Sequence, residues 1–214
     1  HIQPHQFIGI VGESGSGKST IAKLMMGYHR CLEGHLYMGE HQRSDIRDKS
    51  FMEHVMYVTH DPMILKGTVR ENLNMFSQYR DEQLWDVLKQ VRLDGFFHEQ
   101  MGLDTPLLEN GSNLSGGQKQ RLTIARALVR NPELLILDNS ASALDFATDA
   151  ALRKAIATLP QTTIIVSQRV SAIMHADKIL VLSHGELVGM GKHDELMKTC
   201  EIYQQIVTSQ MSKE

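Results

Sequence analysis

Hydrophobic residues in this chain fall into short runs that alternate with segments of helical periodicity. Several runs are apolar at successive positions, which is typical of strands covered on both faces of a parallel sheet. The runs that predict strands are Phe7–Val11, His54–His60, Leu134–Asp138, Thr162–Ser167 and Lys178–Ser183. Helical spacing occurs at Ile21, Leu24, Met25 and Tyr28, and again at Leu152, Ile156 and Leu159. The alternation predicts an α/β fold with a mainly parallel sheet.

The segment between the second and third strands has a different pattern. Its clearest feature is a predicted helix with one apolar face, and no run in the segment predicts a convincing strand. That face consists of Leu84, Val87, Leu88 and Val91. We therefore expect one domain, in which residues 61–132 form an inserted helical lobe and residues 1–60 and 133–214 form the α/β core.

The last part of the chain predicts a hairpin and two helices. A glycine-containing, hairpin-like turn follows the strand that ends at Ser183. Asp194 and Glu195 lie in the first turn of the next predicted helix, where acidic side chains complement the helix dipole. Glu201–Met211 is predicted to be a closing helix.

Composition narrows the function classes. A chain of 214 residues with 42% hydrophobic content can bury a core, and a formal net charge of −3 without a basic stripe argues against nucleic-acid binding. Cys31 and Cys200 have no CxxC spacing, which favours a reducing compartment over a disulfide framework or a cysteine metal site. No apolar run approaches the ~18–20 residues that cross a bilayer.

The segment GESGSGKST matches the phosphate-binding pattern G-x-x-x-x-G-K-[ST], between a predicted strand and a predicted helix. Inward-turned backbone N–H groups and the helix N-terminus attract phosphate at such a loop. Lys18 is predicted to reach the terminal phosphates, and Ser19 to bind Mg²⁺. The predicted binding residues of the loop are Gly12, Glu13, Ser14, Gly15, Ser16, Gly17, Lys18, Ser19 and Thr20.

A second serine-glycine segment precedes a predicted helix. Leu122, Ala125 and Leu128 of that helix share one apolar face. The pattern by itself is equally consistent with an ordinary helix start and with a second anion-binding site.

Three segments, taken in order, resemble the nucleotide-binding domain of ATP-binding cassette (ABC) transporters over nearly the whole chain. They are the Gly12 loop, LSGGQ at Leu114–Gln118, and LLILD followed by SALD at Ser142–Asp145. GTVRENL at 67–73 and DTPLLENGSNLSGGQ at 104–118 are similar to the exporter branch. The resemblance implies a P-loop NTPase fold of the ABC type, with ATP and Mg²⁺ as ligands.

The resemblance also implies a head-to-tail dimer with a second ABC nucleotide-binding domain. In that dimer Ser115, Gly116, Gly117 and Gln118 would bind the partner's nucleotide. Asp138, at the end of its strand, would hold the Mg²⁺ shell. The SALD segment would lie at the dimer interface.

Three positions depart from the family pattern. Asn139 stands where a glutamate normally activates the attacking water, and Gln168 stands where a histidine normally contacts the γ-phosphate. An asparagine does not accept a proton near neutral pH, and general-base help contributes ~10²–10⁴ in rate, so we expect slow turnover with binding retained. His60 stands where a glutamine normally touches Mg²⁺ or the lytic water; it is either a substitute ligand or a loop histidine bonded to backbone or solvent.

The departures at Asn139 and Gln168 favour a naturally degenerate site over a single engineered block, because chemically linked positions change together. Paired losses of this kind resemble the impaired half of a heterodimeric exporter. The intact LSGGQ segment at Leu114–Gln118, here called the signature, could complete a partner's active site. One alternative is an active homodimer in which Asn139, His60 and backbone groups position water. Another is a non-transport ABC switch in DNA maintenance or translation; a small-molecule kinase is disfavoured because it leaves LSGGQ unexplained.

The family's adenine-stacking aromatic residue and its first antiparallel strands belong upstream of the phosphate loop, and the chain has no counterpart of them. We therefore expect a fragment of a longer transporter at the cytoplasmic face of a membrane. The membrane helices would be on the same polypeptide or on a separate subunit. The transported substrate is not encoded here, since its selectivity belongs to those helices.

Overall fold

The computed structural model of the chain describes residues 1–75, 77–138, 156 and 159–211. Most of the predicted helix around Leu152, together with Asn139 and the SALD segment, lies outside the described residues. The strands are β1 Phe7–Gly12, β2 Tyr37–Met38, β3 His41–Gln42, β4 Val55–Val58, β5 Gly67–Thr68, β6 Pro106–Leu107, β7 Leu134–Asp138, β8 Thr162–Val166, β9 Lys178–Ser183 and β10 Glu186–Gly191. The α-helices are α1 Lys18–Met25, α2 Asp48–His54, α3 Val69–Asn74, α4 Asp81–Gln90, α5 Asp94–His98, α6 Gly116–Leu128, α7 His193–Thr199 and α8 Glu201–Met211.

Six strands form one sheet in the order β10-β9-β1-β8-β7-β4. The pairs β1–β8, β1–β9 and β7–β8 are parallel, whereas β10 pairs antiparallel with β9. In register, Ile10 of β1 and Asp138 of β7 both lie beside Val166 of β8. The carboxyl ends of these three strands therefore meet at one edge of the sheet, which is where α/β folds place their ligands.

The predicted parallel sheet is confirmed, and its burial explains the continuous apolar runs. All six residues of β1 are buried, because β1 has a strand on each side and a covered face above and below. Burial of a side chain such as Ile8 or Ile10 stabilises the fold by ~1.5–3 kcal/mol. One core cluster contains both isoleucines together with Ala22 and Met26, from α1 and the residue that follows it.

Two predicted elements differ in detail. The strand predicted over His54–His60 is only Val55–Val58, because His54 ends α2 and its Nδ1 donates to the carbonyl of Ser50 at 2.8 Å. In α1 the fully buried apolar residue is Ala22, whereas Ile21 and Met25 of the predicted stripe are partly buried against the core cluster. Tyr28, at the end of that stripe, lies beyond the helix and is 56% exposed.

The chain end follows the sequence prediction closely. His184 and Gly185 form the turn between β9 and β10 with φ values of +49° and +86°, the left-handed geometry of a tight hairpin. Asp194 and Glu195 lie in the first turn of α7, and α8 spans Glu201–Met211 as predicted.

The helical segment contains a small sheet that the sequence analysis did not predict. Gly67 pairs with Leu107 and Thr68 with Pro106, antiparallel. A ladder of two residue pairs is too short to produce a period of two in the hydrophobic pattern. The predicted helix is confirmed as α4, with Leu84, Val87 and Leu88 buried, and the expectation of no strand in this segment is corrected.

The described residues form two compact units. The first comprises residues 1–57, 133–138 and 160–211, and the second comprises 58–132 with residues 156 and 159. The predicted division of the chain at residues 61 and 133 stays a proposal. Within the described ranges, no helix is both long and apolar enough to cross a membrane.

Candidate functional site

The segment from Gly12, the last residue of β1, to the start of α1 is a tight loop that requires glycine. A β-carbon on Gly12 would lie 2.2 Å from the carbonyl oxygen of Leu182 and 2.5 Å from Oγ of Ser16. Gly15 and Gly17 have φ values of +80° and +99°, which other residues adopt only with strain. The glycines of the motif therefore let the chain turn close to its own backbone, as a phosphate-cradling loop must.

The loop has both buried and exposed residues. Ser16 and Lys18 are buried, whereas Glu13, Ser14 and Gly15 are exposed, as is Thr20 in the first turn of α1. Gly17 is the N-cap of α1, so the first N–H groups of the helix open at the end of the loop. A helix start of this kind leaves N–H groups without intrahelical partners, which is the arrangement that favours an anion.

The ammonium group of Lys18 lies against the loop itself. Its Nζ donates to the carbonyl oxygens of Gly12 at 2.8 Å and of Glu13 at 2.6 Å, and to Oγ of Ser16 at 3.3 Å. Burial lowers the pKa of Lys18, and the negative charge of Asp138 partly opposes that shift. A cation held inside the loop is positioned to neutralise phosphate charge there.

Asp138 joins the end of β7 to the start of α1. Oγ of Ser19 donates to Oδ1 of Asp138 at 3.1 Å, and the hydroxyl of Tyr57 donates to Oδ2 at 2.8 Å. Asp138 is only 4% exposed, so its carboxylate depends on these donors. Burial raises the pKa of Tyr57, and the hydrogen bond to the Asp138 carboxylate and its charge raise it further, which keeps the phenol a donor.

Ser19 and Asp138 suit Mg²⁺. Both offer oxygen, the ligand type that Mg²⁺ prefers, and their side chains are already within hydrogen-bond distance of each other. Mg²⁺ is usually held by one or two carboxylates, with substrate phosphates and water completing its octahedron. In the described ranges, no group of three or more His, Cys, Asp or Glu residues could hold a metal ion.

Gln168 lies just beyond β8, at the same sheet edge. The N–H of Ser167 donates to the carbonyl of Ile10 at 3.0 Å, which ties this segment to β1. Gln210 of α8 binds the segment from the other side: its Nε2 donates to the carbonyl of Gln168 at 2.6 Å, and its Oε1 accepts from the N–H of Val170 at 2.8 Å. The predicted catalytic position is thus held by the closing helix.

A cavity of about 390 Å³ lies between the phosphate loop and α8. Polar groups from three segments face it: the phosphate loop, the segment after β8, and α8. The lining residues from the first two segments are Gly12, Glu13, Ser14 and Gln168. The loop and Gln168, which are far apart in the sequence, therefore border one cavity within the first unit.

The signature segment lies in the second unit, at the start of α6. Oγ of Ser115, the N-cap, accepts from the N–H of Gln118 at 3.2 Å, and Oε1 of Gln118 accepts from the N–H of Ser115 at 2.8 Å. This capping box fixes the helix start and explains the pattern locally. Ser115 and Gly116 are nevertheless exposed, and the hydroxyl proton of Ser115 is not used in either bond.

His60 also belongs to the second unit. Its side chain is 61% exposed, and its Nε2 lies 3.1 Å from Oδ2 of Asp61. This contact fits a loop histidine, and the ligand role stays a prediction. The third departing position, Asn139, lies outside the described residues.

Sequence reasoning missed two residues of the site. Tyr57 reaches Asp138 across 81 positions of the chain, and Gln210 reaches Gln168 across 42. A phenol within an otherwise apolar strand was a weak signal for the first. A glutamine on the polar side of an amphipathic helix gave none for the second.

Comparison with known proteins agrees with this geometry. A sequence profile of the ABC transporter family matches residues 1–142. An uncharacterized ABC transporter ATP-binding protein of Bacillus subtilis, YfiB, is 38% identical over 218 residues, which cover 99% of this chain and 37% of that protein. A multidrug resistance ABC transporter ATP-binding and permease protein of Lactococcus lactis subsp. cremoris is 35% identical, with 98% of this chain and 36% of that protein covered.

A solved structure is similar as well. The structure of a bacterial Atm1-family ABC exporter with ATP bound has a TM-score of 0.91 and 31% sequence identity, covering 97% of this chain and 37% of that one. A phosphate loop at the end of a parallel strand, with an aspartate at the same sheet edge, defines a P-loop NTPase fold. The chain belongs to the ABC transporter family, and its relatives include exporter-type members. It spans 36–37% of the length of these three proteins.

Proposed function

We propose that the chain is the ATP-binding domain of an ABC exporter and that it binds Mg-ATP at the Gly12 loop. The observation that carries this proposal is the 3.1 Å hydrogen bond between Ser19 and Asp138, because it joins the phosphate loop to the acidic end of β7. Backbone N–H groups of the loop and Lys18 bind the phosphates. Ser19 and Asp138 hold Mg²⁺, which neutralises phosphate charge when bound, and His60 is a further candidate ligand.

The proposed partners are a second ABC nucleotide-binding domain and the membrane helices of the transporter. The start of α6 is available to an anion that another chain presents. Ser115 and Gly116 are exposed there, and the first N–H groups of the helix follow them. ATP would then join the two domains head to tail at the cytoplasmic face of the membrane. Opening and closing of the dimer would pass through the second unit to the membrane helices.

Hydrolysis at this chain's own site is proposed to be slow. Asn139 offers no base for the attacking water, and Gln168 carries no charge at any pH. Loss of general-base help lowers the rate by ~10²–10⁴ while leaving phosphate binding intact. The exposed signature would still assist hydrolysis at the site of a partner that carries the missing glutamate.

The test restores the missing groups. In the assembled transporter, Asn139→Glu combined with Gln168→His should raise ATP turnover at this site by ~10²-fold or more, measured with the partner's site inactivated. Lys18→Ala should abolish ATP binding at the same site in both backgrounds. Unchanged turnover in the double variant would show that the missing base does not limit this half.

The alternative is a catalytically active homodimer. Gln168 is compatible with it, because a glutamine amide can still donate a hydrogen bond to the γ-phosphate. Single-turnover cleavage by a homodimer at the rate of a glutamate-bearing relative would establish it.

A non-transport switch is the third hypothesis. A gene without adjoining membrane helices would favour that role.

A further inference from the structure

We propose that Tyr57 is a positioning residue for Mg²⁺, holding the Asp138 carboxylate through Oδ2 so that Oδ1 stays on the side of Ser19. This inference rests on the proposed function of the Gly12 loop. It adds a residue that neither the sequence motifs nor the phosphate loop includes. Tyr57 would act through Asp138, without touching the metal or the nucleotide.

The first argument is the division of the carboxylate between two donors. Oδ2 accepts from the Tyr57 hydroxyl at 2.8 Å, and Oδ1 accepts from Oγ of Ser19 at 3.1 Å. Because Ser19 and Asp138 are the two proposed Mg²⁺ ligands, Oδ1 is the oxygen nearer the metal position. Tyr57 binds the opposite oxygen, so metal binding at Oδ1 leaves its hydrogen bond in place.

The second argument is that the fold fixes Tyr57 as firmly as Asp138. Tyr57 lies in β4, which is the sheet neighbour of β7, the strand that ends at Asp138. The two strands are joined at their start as well, where the N–H of Glu133 donates to the carbonyl of His54 at 2.8 Å. A donor on an adjacent strand holds its acceptor with little freedom.

The third argument is the support behind the phenol ring. Tyr28 lies against Tyr57 with ring centroids 6.2 Å apart and an interplanar angle of 71°, an edge-to-face contact. Tyr28 follows the end of α1, the helix that begins with Lys18 and Ser19. The N–H of Tyr28 donates to the carbonyl of Lys23 in α1 at 2.9 Å, so the ring is supported by a residue tied to the helix that supplies the serine ligand.

The chemical consequence is an oriented metal ligand. A carboxylate that rotates away from the cation loses its hydrogen bond to Tyr57, and residues that orient metal ligands in this way are typically worth 10–100-fold in metal affinity. A merely structural hydroxyl would instead affect folding stability and nucleotide binding with and without metal alike.

The experiment compares Tyr57→Phe with the wild-type chain. Binding of radiolabelled ATP is measured by equilibrium dialysis across a Mg²⁺ titration, and again in EDTA. We expect the Mg²⁺ concentration for half-maximal ATP binding to rise at least tenfold in the variant. ATP affinity in EDTA should change less than about twofold, because the hydrogen bond described for the Tyr57 hydroxyl goes to Asp138 and not to the phosphate loop. Tyr37→Phe is the matched control, since Tyr37 is an exposed tyrosine of β2 and should leave both values unchanged.

Each other outcome is decisive. An unchanged Mg²⁺ requirement in Tyr57→Phe, with ATP still bound, would overturn the inference while leaving the proposed function standing. Equal weakening in Mg²⁺ and in EDTA would assign the hydroxyl to the structure of the loop, and would overturn it too. Absence of ATP binding by the wild-type protein under both conditions would instead reject the proposed function itself.

Discussion

The side-chain amide of Gln210 donates to the backbone carbonyl of Gln168 at 2.6 Å, while its oxygen accepts from the N–H of Val170. The Gln210 side chain, near the end of α8, therefore links two residues of the segment after β8 that contains the proposed catalytic position Gln168. Truncation of Gln210 removes both bonds at once.

Gln210→Ala should loosen the Gln168 segment locally. The Val170 N–H would lose its acceptor, and an unpaired partly buried donor costs ~1–3 kcal/mol. Amide hydrogen exchange at Val170 should therefore accelerate by about tenfold or more, with little change at Ile8 in the central strand. Gln205→Ala is the control, because Gln205 lines the same cavity but its amide lies 3.5 Å from Glu201 in its own helix. Equal exchange rates at Val170 in all three proteins would contradict the bridging role.

Gly12→Ala should destabilise the phosphate loop. The new methyl group would lie 2.2 Å from the Leu182 carbonyl, a backbone atom that cannot move without disturbing β9. Overpacking of this kind costs ~1–3 kcal/mol in the free energy of unfolding, measured by urea denaturation. Gly95→Ala in α5 has open space around the added carbon and should instead be neutral or stabilising by ~0.5–1 kcal/mol. A loop that accepts alanine at position 12 without loss would refute the tight geometry.

Asn72→Asp should destabilise the second unit. Asn72 is 1% exposed; its Oδ1 accepts from the N–H of Leu65 at 2.9 Å, and its Nδ2 donates to the carbonyls of Leu65 at 2.8 Å and Thr68 at 3.0 Å. An aspartate keeps only the acceptor and adds a buried charge, which costs ~3–5 kcal/mol when unpaired. Chemical denaturation followed by the fluorescence of Trp85, which lies in this unit, would measure the loss.

A matched control for that substitution is Asn74→Asp, two residues further along. The only described hydrogen bond of the Asn74 side chain uses its oxygen, which accepts from the N–H of Tyr79 at 3.1 Å and is preserved in aspartate. We expect a change within about 1 kcal/mol, from the unfavourable charge near a helix C-terminus. Similar losses in both variants would mean that the amide donors of Asn72 contribute nothing.

Tyr203→Phe should reduce the loss of unfolding free energy that occurs as the pH rises above 10. Burial raises the pKa of Tyr203 to about 12 from an ordinary value of 10.0, so between these values the folded protein retains a proton that the unfolded chain has lost. Stability from this group is complete below pH 10 and is lost as the pH rises towards 12. The slope of unfolding free energy against pH in this window should be shallower in the variant than in the wild-type protein. Parallel profiles for Tyr203→Phe and wild type would contradict the raised pKa.

The predictable parts of this molecule were the strands and loops whose structure depends on residues close together in the sequence. β7 and β9 have the predicted bounds, because a strand covered on both faces is a continuous apolar run. The phosphate loop was predictable because glycine, lysine and serine are each required there by short-range geometry. β5 and β6 were not predictable, since two residue pairs leave no periodic signal.

The missed parts of the site depend on pairing in the folded chain. Tyr57 and Asp138 meet because β4 is placed beside β7, a sheet order that no stretch of sequence encodes locally. The asparagine of the GTVRENL segment is another example. It was noted as part of a family pattern, whereas its role is to bond the backbone of Leu65 and Thr68.

The turn of the β9–β10 hairpin has a consequence for protein engineering. The N–H of Gly185 donates to the carbonyl of Ser16 at 3.2 Å, so a two-residue turn next to the edge strand of the sheet is part of the scaffold of the phosphate loop. Surface turns of this size are ordinarily chosen for inserting tags or for opening a chain in circular permutation. An insertion after His184 would displace the Gly185 N–H from the phosphate loop. A tag inserted there to follow nucleotide binding would therefore itself change the nucleotide affinity.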